Sequence, residues 1–137
     1  MRTIILDSSV YISSLNIADK LNKTTREFLV QLTKEQDVFI IVPVLIMLEV
    51  ANILKKSVKE IEAIFAGGKI IELNLELTEG LIPFFKSLKL KTSDAVIAGC
   101  ANIHKAELVS WDKKLVKEAK TIAKAYTPRE FLNALEK

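Results

Sequence analysis

The stretch TIILDSSVYI, residues 3–12, decides the fold because an apolar strand runs directly into an acid. Its first four residues, TIIL, predict a β-strand whose two faces are both buried. Similar short runs predict further strands at residues 38–42, 69–73, 107–110 and 123–126. Asp7 ends the first strand, so it is predicted to lie at the carboxyl edge of a sheet.

The segments between these strands have helical patterns. Predicted helices cover residues 24–35, 44–56, 77–88 with Pro83 as a candidate kink, Thr92 or Ser93 to about His104, and Asp112 to about residue 121. Capping-box patterns at Ser57 with Glu60 and at Thr127 with Glu130 predict two more helix starts, and Gly67 with Gly68 ends the first of these. Strands that alternate with helices indicate right-handed crossovers and an α/β fold with a parallel sheet covered on both faces.

Composition predicts a single ordered domain spanning residues 1–137. Half of the residues are hydrophobic, and only four Gly and three Pro are present, which argues against long linkers. The single cysteine, Cys100, lies in an apolar run and is interpreted as a small core residue. No stretch suits a signal peptide or a membrane helix, so we expect a cytoplasmic protein without a membrane partner.

Four acids depart from an ordinary pattern of surface charge. Asp7 and Asp112 follow the first and fourth predicted strands, so both are expected at the same edge of the sheet. Asp94 opens a helix, and Glu49 interrupts the apolar helix PVLIMLEVANIL. In parallel α/β folds the functional site lies beyond the carboxyl ends of the strands. The four acids are therefore predicted to share one pocket.

Each of these acids also has a structural explanation. Asp7 and Asp112 could be helix caps, and Asp94 in the first turn of a helix is electrostatically favourable. Glu49 is harder to explain, because a carboxylate on an apolar helix is costly unless it is paired, hydrogen-bonded or bound to a metal. Asn52 lies one turn away on the same face and could support it.

Carboxylates that crowd together repel one another, so a cluster of four indicates a bound cation. Oxygen ligands favour Mg²⁺ or Mn²⁺, and the chain, with one cysteine and one histidine, lacks the ligand set of a zinc site. One or two such ions suit phosphodiester hydrolysis by an activated water. Ser8, Ser9 and Ser110 are candidates for orienting the carboxylates, with a role in turns and caps as the alternative.

The order of these motifs resembles the PIN-domain nucleases, and in particular the short VapC-type toxins of toxin–antitoxin pairs. LDSSVYI is similar to the first motif of that family, LEVANIL to its acidic helix, KTSDAVIAGCA to its third motif and LVSWDKKL to its fourth. The four acids of the family then correspond to Asp7, Glu49, Asp94 and Asp112. Ser9 and Ser110 stand where the family usually has a small polar residue.

The resemblance covers essentially the whole chain and implies a three-layer α/β/α sandwich with a central parallel sheet of four to five strands. It also implies an endoribonuclease that cleaves RNA with Mg²⁺ or Mn²⁺, frequent homodimers and, in the toxin branch, a small antitoxin protein that blocks the acidic cleft. The alternative is a non-catalytic PIN-like domain that binds RNA or serves as a scaffold. Metal-dependent cleavage of RNA distinguishes the two.

Basic and aromatic residues near the acids could contact a nucleic acid. The lysines concerned are Lys55, Lys56, Lys89, Lys91, Lys113, Lys114 and Lys117. They could hold phosphates beside the cleft, or they could form an ordinary solvated helix surface. Trp111 could stack on a base or pack against neighbouring elements. His104 is expected near a helix end, in a structural or exposed role.

Overall fold

All five predicted strands form in the structure, a computed structural model that describes residues 1–135. They are β1 (Arg2–Leu6), β2 (Val38–Pro43), β3 (Lys69–Ile71), β4 (Glu107–Val109) and β5 (Ala125–Tyr126). They pair in parallel in the order β3-β2-β1-β4-β5. The predicted α/β class with a central parallel sheet is therefore confirmed.

Helices connect the strands and cover both faces of the sheet. They are α1 (Ser8–Leu15), α2 (Asn22–Lys34), α3 (Val44–Leu54), α4 (Val58–Ile64), α5 (Leu75–Leu81), α6 (Phe84–Ser87), α7 (Thr92–Ile103), α8 (Lys113–Ala119) and α9 (Pro128–Leu135). Among residues 1–135, none of these helices has the length and apolar character needed to cross a membrane.

Alternation along β1 divides the apolar core between the two faces of the sheet, because successive side chains of a strand point to opposite faces. Ile5 packs into the larger core, which is formed with α3, α4, α5, α7 and α8. Ile4 and Leu6 pack into the smaller core with Phe28 of α2 and Phe131 of α9. Full burial of each such side chain contributes about 1.5–3 kcal/mol to folding, and together the two cores hold a three-layer sandwich.

Both predicted capping boxes form. The backbone N–H of Ser57 donates to Glu60 Oε1 (3.1 Å), and the N–H of Glu60 donates back to Ser57 Oγ (3.3 Å). The equivalent pair at Thr127 and Glu130 has both distances at 3.1 Å. These short patterns were predictable because both partners lie within one turn of the chain.

Several predicted helix boundaries were wrong, and each has a local cause. Residues 77–88 form two helices because Pro83, which has no N–H to donate, lies between α5 and α6. Helix α4 ends at Ile64, before Gly67 and Gly68. A side chain at Gly68 would come within 2.7 Å of a methyl group of Val42, so this glycine instead allows the close approach of β3 to β2.

Two more differences concern the helices that carry functional residues. Helix α1 was not predicted, since its eight residues, SSVYISSL, include four serines and have no strong apolar stripe. At the start of α7, Lys91 occupies the cap position and no side chain caps the helix, so the predicted capping by Thr92 or Ser93 was wrong. The first turn of α1 directly follows Asp7, and the first turn of α7 contains Asp94.

The strand order places a crevice between β1 and β4. From β1 the chain runs outward through β2 and β3, then returns to place β4 and β5 on the other side of β1. Connections that leave neighbouring strands in opposite directions open a crevice at the carboxyl ends of those strands. Asp7 follows β1 and Ser110 follows β4 at this point.

Candidate active site

The four predicted acids lie at the carboxyl edge of the sheet. Asp7 and Asp112 follow β1 and β4. Glu49 lies on α3, which leaves the end of β2, and Asp94 lies in the first turn of α7, which runs back toward the start of β4. A helix that precedes or follows a parallel strand has one end at this edge, so the topology gathers the acids. We call Asp7, Glu49, Asp94 and Asp112 the acidic cluster.

Asp7 is the most enclosed member of the acidic cluster, with 5% of its surface exposed. Its Oδ2 accepts hydrogen bonds from Ser9 Oγ (2.9 Å) and Ser110 Oγ (2.8 Å), and these two hydroxyls lie 3.3 Å apart. Although Asp7 occupies the cap position of α1, its side chain makes no capping hydrogen bond. Two hydroxyls therefore fix one oxygen of this carboxylate, and the explanation of Asp7 as an ordinary cap does not hold.

Asp112 does cap its helix. Its Oδ1 accepts from the backbone N–H groups of Lys114 (3.0 Å) and Leu115 (3.2 Å) at the start of α8. Its own N–H donates to Ser110 Oγ at 3.0 Å. The capping bonds use only Oδ1, so the other carboxylate oxygen of Asp112 takes no part in capping.

Glu49 has a buried oxygen, Oε1, without a hydrogen-bond partner among residues 1–135. Burial raises the pKa of Glu49, and the negative charges of Asp7 and Asp94 raise it further, while Lys91 and the Ser8 hydroxyl lower it. An unpaired buried carboxylate oxygen is costly unless something outside the chain binds it. Glu49 is thus the acid that a purely structural role explains least well.

Asn52 does not support Glu49, contrary to the sequence prediction. Its side chain is exposed, and its Oδ1 accepts from Lys55 Nζ at 3.0 Å. Within residues 1–135 no hydrogen bond joins it to Glu49. Helical spacing predicted that the two residues share a face of α3, but Glu49 is half-buried while Asn52 is exposed.

Asp94 is electrostatically connected to the rest of the acidic cluster. Partial burial raises its pKa, the charges of Asp7 and Asp112 add to the rise, and Lys91 and Lys114 oppose it. Asp7 thus acts on both Glu49 and Asp94, and Asp112 acts on Asp94. The structure brings all four acids into one region of mutual repulsion.

The donor chemistry of this region fits a hard divalent cation. All candidate ligands are carboxylate oxygens, as Mg²⁺ and Mn²⁺ prefer, and one of them, Glu49 Oε1, is buried without a partner. Among residues 1–135 no three acidic, His or Cys side chains approach closely enough to form a complete ligand set.

Of the lysines singled out from the sequence, two act on the cluster. Lys91 and Lys114 lower the pKa of Asp94 through their charges. By contrast, Lys55 bonds Asn52, and Lys56 forms an exposed ion pair with Glu60 at 3.5 Å. Lys91 and Lys114 are therefore the lysines whose charges reach Asp94 in the acidic cluster.

Trp111 packs within the protein. It is partly buried against the smaller core, its backbone N–H donates to Ser9 Oγ (3.0 Å), and its indole N–H donates to Thr25 Oγ1 (2.8 Å). Thr25 is fully buried on α2 and was missed by sequence reasoning. Its spacing from Phe28 and Leu32 marks it as inward-facing, but nothing local connects it to Trp111.

Cys100 is a core residue, whereas His104 lies at the carboxyl end of α7 and its buried Nε2 has no hydrogen-bond partner among residues 1–135. Cys100 is fully buried, and burial raises its pKa to about 11, so it remains an uncharged thiol in the core. His104 caps the carboxyl end of α7, near the helix end where it was expected. Neither residue belongs to the acidic cluster.

Comparison with known families and structures agrees with this architecture. The family model for the PIN domain matches residues 4–121. VapBC-1 from nontypeable Haemophilus influenzae is similar with a TM-score of 0.70 and 13% identity, covering 93% of this chain and 98% of that one. A toxin–antitoxin complex from Klebsiella pneumoniae gives a TM-score of 0.66 and 20% identity over 91% and 97%.

A third structure is VapC20 of Mycobacterium tuberculosis, a Sarcin-Ricin loop cleaving toxin. Its TM-score is 0.63 with 13% identity, and the match covers 82% of this chain and 92% of that one. At such identities the three structures establish a common fold. No curated protein sequence matches the chain.

Proposed function

The chain belongs to the PIN-domain family, and from that membership we propose that it is a metal-dependent endoribonuclease. The observation that carries the proposal is the acidic cluster at the crevice between β1 and β4, where Glu49 Oε1 is buried without a partner among residues 1–135. A protein that needed these acids only for folding would pair them. Here their mutual repulsion is left for a cation to relieve.

In this proposal Asp7, Glu49, Asp94 and Asp112 hold Mg²⁺ or Mn²⁺. Such an ion, when bound, lowers the pKa of a coordinated water and offsets charge on the phosphodiester. The protein's own side chains orient the carboxylates that would hold this ion. Ser9 and Ser110 hold Asp7 Oδ2, which leaves the other oxygen of that carboxylate for coordination.

Substrate binding is assigned to the basic side chains beside the cluster. Lys91 precedes Asp94 by three residues, and Lys114 follows Asp112 by two, so they flank the crevice from α7 and α8. Their charges would hold phosphates on either side of the scissile bond without recognising particular bases. These contacts would bind RNA of any sequence.

The test is cleavage of single-stranded RNA by purified protein with Mg²⁺ or Mn²⁺, and its arrest by EDTA. Asp7→Asn should abolish cleavage, whereas Glu62→Gln, which neutralises an exposed acid on α4, should leave it unchanged. Binding of RNA without cleavage under any metal condition would support the non-catalytic binding or scaffold alternative. Full activity in EDTA would remove the metal from the mechanism.

We further propose that the protein is the toxin of a toxin–antitoxin pair that acts in the cytoplasm. The supporting observation is that similar structures are toxin–antitoxin complexes, including the one from Klebsiella pneumoniae. The partner would be a small antitoxin protein that blocks the acidic cluster. Expression of the chain alone should arrest growth, and Asp7→Asn should relieve the arrest. Normal growth despite abundant folded protein would contradict a toxin role.

We also propose a homodimer. Leu48, Ile53 and Val58 are large apolar side chains on α3 and α4 that remain mostly exposed in the single chain. We assign these side chains to one interface between subunits, since exposed apolar patches mark such interfaces. Light scattering coupled to gel filtration should give twice the chain mass, and Ile53→Lys should reduce it to the monomer. A monomeric parent protein would refute this part.

A further inference from the structure

The first two residues after β4, Ser110 and Trp111, are held by hydrogen bonds to the start of α1 and to α2. Ser110 Oγ donates to Asp7, and the Trp111 backbone N–H donates to Ser9 Oγ at 3.0 Å. The Trp111 indole N–H donates to Thr25 Oγ1 at 2.8 Å. Asp112 is the next residue. It is therefore connected to α1 through the backbone of Trp111 and to α2 through the indole of Trp111.

Thr25 accepts the hydrogen bond from this indole with a hydroxyl that is itself buried and hydrogen-bonded. It is 0% exposed, and its hydroxyl lies 2.9 Å from the carbonyl of Leu21, to which it donates. Its oxygen also lies 2.7 Å from Ser13 Oγ. The Thr25 hydroxyl thus donates to the carbonyl of Leu21 and accepts from the Trp111 indole, and the Ser13 hydroxyl, which donates to the carbonyl of Val10, lies beside it.

The hydrogen bonds around Thr25 show which partner depends on it. The Leu21 carbonyl also accepts from the backbone N–H of Thr25 at 2.9 Å, and Ser13 Oγ also lies 3.1 Å from the carbonyl of Val10. Both groups keep a partner if the Thr25 hydroxyl is removed. The Trp111 indole N–H has no second acceptor within residues 1–135. Loss of the hydroxyl therefore acts selectively on Trp111.

We propose that Thr25 is a positioning residue for Asp112, acting through the indole of Trp111. The bond between Thr25 and Trp111 holds the segment 110–112 against α2 and so fixes where the Asp112 carboxylate stands in the acidic cluster. The idea rests on the proposed function only in treating Asp112 as a cation ligand. It gives Trp111 a role distinct from stacking on a base.

The test uses Thr25→Val, which removes the hydroxyl with little change in shape, beside Thr25→Ser, which keeps it. Thr33→Val is a matched control, because Thr33 lies on the same helix, is exposed, and bonds only the carbonyl of Val30 (2.6 Å) within residues 1–135. Trp111→Phe removes the donor instead and serves if Thr25→Val does not fold.

The first measurement is the solvent exchange of the indole N–H by NMR, where the single tryptophan gives a single signal. Exchange should be slow in the parent, Thr25→Ser and Thr33→Val, and fast in Thr25→Val. The second is the affinity for Mn²⁺, which should weaken about tenfold to a hundredfold in Thr25→Val and Trp111→Phe, as is usual when a supporting residue of a metal ligand is lost.

Combination with Asp112→Asn separates positioning from a general loss of stability. If Thr25 acts through Asp112, Thr25→Val should weaken Mn²⁺ binding no further once Asp112 has lost its charge. Unchanged Mn²⁺ affinity in folded Thr25→Val, additive losses in the double variant, or an indole that exchanges quickly in the parent would each overturn the proposal. Failure of the parent to cleave RNA would count against the proposed function alone, because indole exchange and Mn²⁺ affinity are measured without RNA.

Discussion

Acidic side chains at the two ends of β1 have opposite electrostatic environments. Asp7 follows the last residue of the strand and belongs to the acidic cluster, where the pKa of Glu49 and of Asp94 is raised. Arg2 begins the strand and binds Glu107, the first residue of β4, whose pKa is lowered chiefly by the hydrogen bonds from Arg2. The same sheet therefore has an acid paired with Arg2 at one edge and a cluster of acids whose charges repel one another at the other.

At the start of β1, both carboxylate oxygens of Glu107 accept hydrogen bonds. We call Arg2, Glu107 and Tyr126 the Arg2 cluster. Arg2 donates to both oxygens of Glu107, at 2.8 and 2.7 Å, and the Tyr126 hydroxyl donates to Glu107 Oε1 at 2.7 Å. The guanidinium also lies 5.4 Å from the ring centre of Phe131, within range of a cation–π contact.

The difference teaches that the environment of a carboxylate, and not its presence, marks a functional group. The chain can satisfy an acid fully, as it does at Glu107, within the same sheet that leaves Glu49 Oε1 without a partner. Selection for stability alone would not retain four repelling acids at one edge. On the proposed function, the acidic cluster is a local source of instability that a cation would relieve, while the Arg2 cluster joins β1, β4 and β5.

The largest expected effect comes from removing one charge of the acidic cluster. Asp94→Asn should reduce RNA cleavage by about a hundredfold or more, because a metal ligand is lost. Its metal-free form should melt at the parent temperature or above, because repulsion from Asp7 and Asp112 is relieved. Added Mg²⁺ should stabilise the parent more than the variant.

Thermal melts with and without Mg²⁺, beside one cleavage assay, measure all three quantities. If Asp94 served only its helix, Asn would replace it well and both activity and metal response would survive. That result would remove Asp94 from the site and reduce the contrast between the two ends of β1.

At the Arg2 cluster we expect a smaller effect, which lowers stability and leaves RNA cleavage unchanged. Glu107→Gln should lower the free energy of unfolding by about 1–2 kcal/mol, since it weakens charge-assisted hydrogen bonds to Arg2. The value stays modest because the Arg2 side chain is 37% exposed, which screens the pair. Denaturant melts measure the change, and RNA cleavage per folded molecule should remain at the parent level. Loss of cleavage in the folded variant would show that the two ends are coupled.

The stability difference between the parent and Glu107→Gln should depend on pH. Because the folded pKa of Glu107 is lowered, its stabilising effect is fully present above the ordinary value of 4.5 and is lost as the pH falls through the lowered value. Melting curves of both proteins from neutral pH downward should converge in this acid range. A difference that stays constant below pH 4.5 would show that the charge of Glu107 is not what matters.

The smallest effect is expected for Arg2→Lys. The charge is kept, but an ammonium group cannot bind both oxygens of Glu107 and the Tyr126 hydroxyl in the planar arrangement of a guanidinium. The loss should stay below about 1 kcal/mol. A loss as large as that of Glu107→Gln would assign the stability to the hydrogen-bond geometry and leave little to the charge.

Much of the fold was predictable because its signals are local. The short apolar runs, the acid after TIIL and the two capping boxes each depend on residues within a few positions of one another, and all of these elements form. The errors were local as well. Pro83 breaks a helix that apolar spacing alone continues, and α1 lacks the apolar stripe by which a helix is recognised.

The four acids could also be proposed from the sequence, since Asp7 and Asp112 follow strands that end at one edge, and Glu49 is out of place on an apolar helix. Only the tertiary structure decided how each is held. Ser110 reaches Asp7 across 103 positions and Trp111 reaches Thr25 across 86 positions, whereas Asn52, one turn from Glu49, bonds Lys55 instead. Periodicity records which face of an element is buried, but which buried groups meet depends on how distant elements pack, and that packing is a property of the whole core.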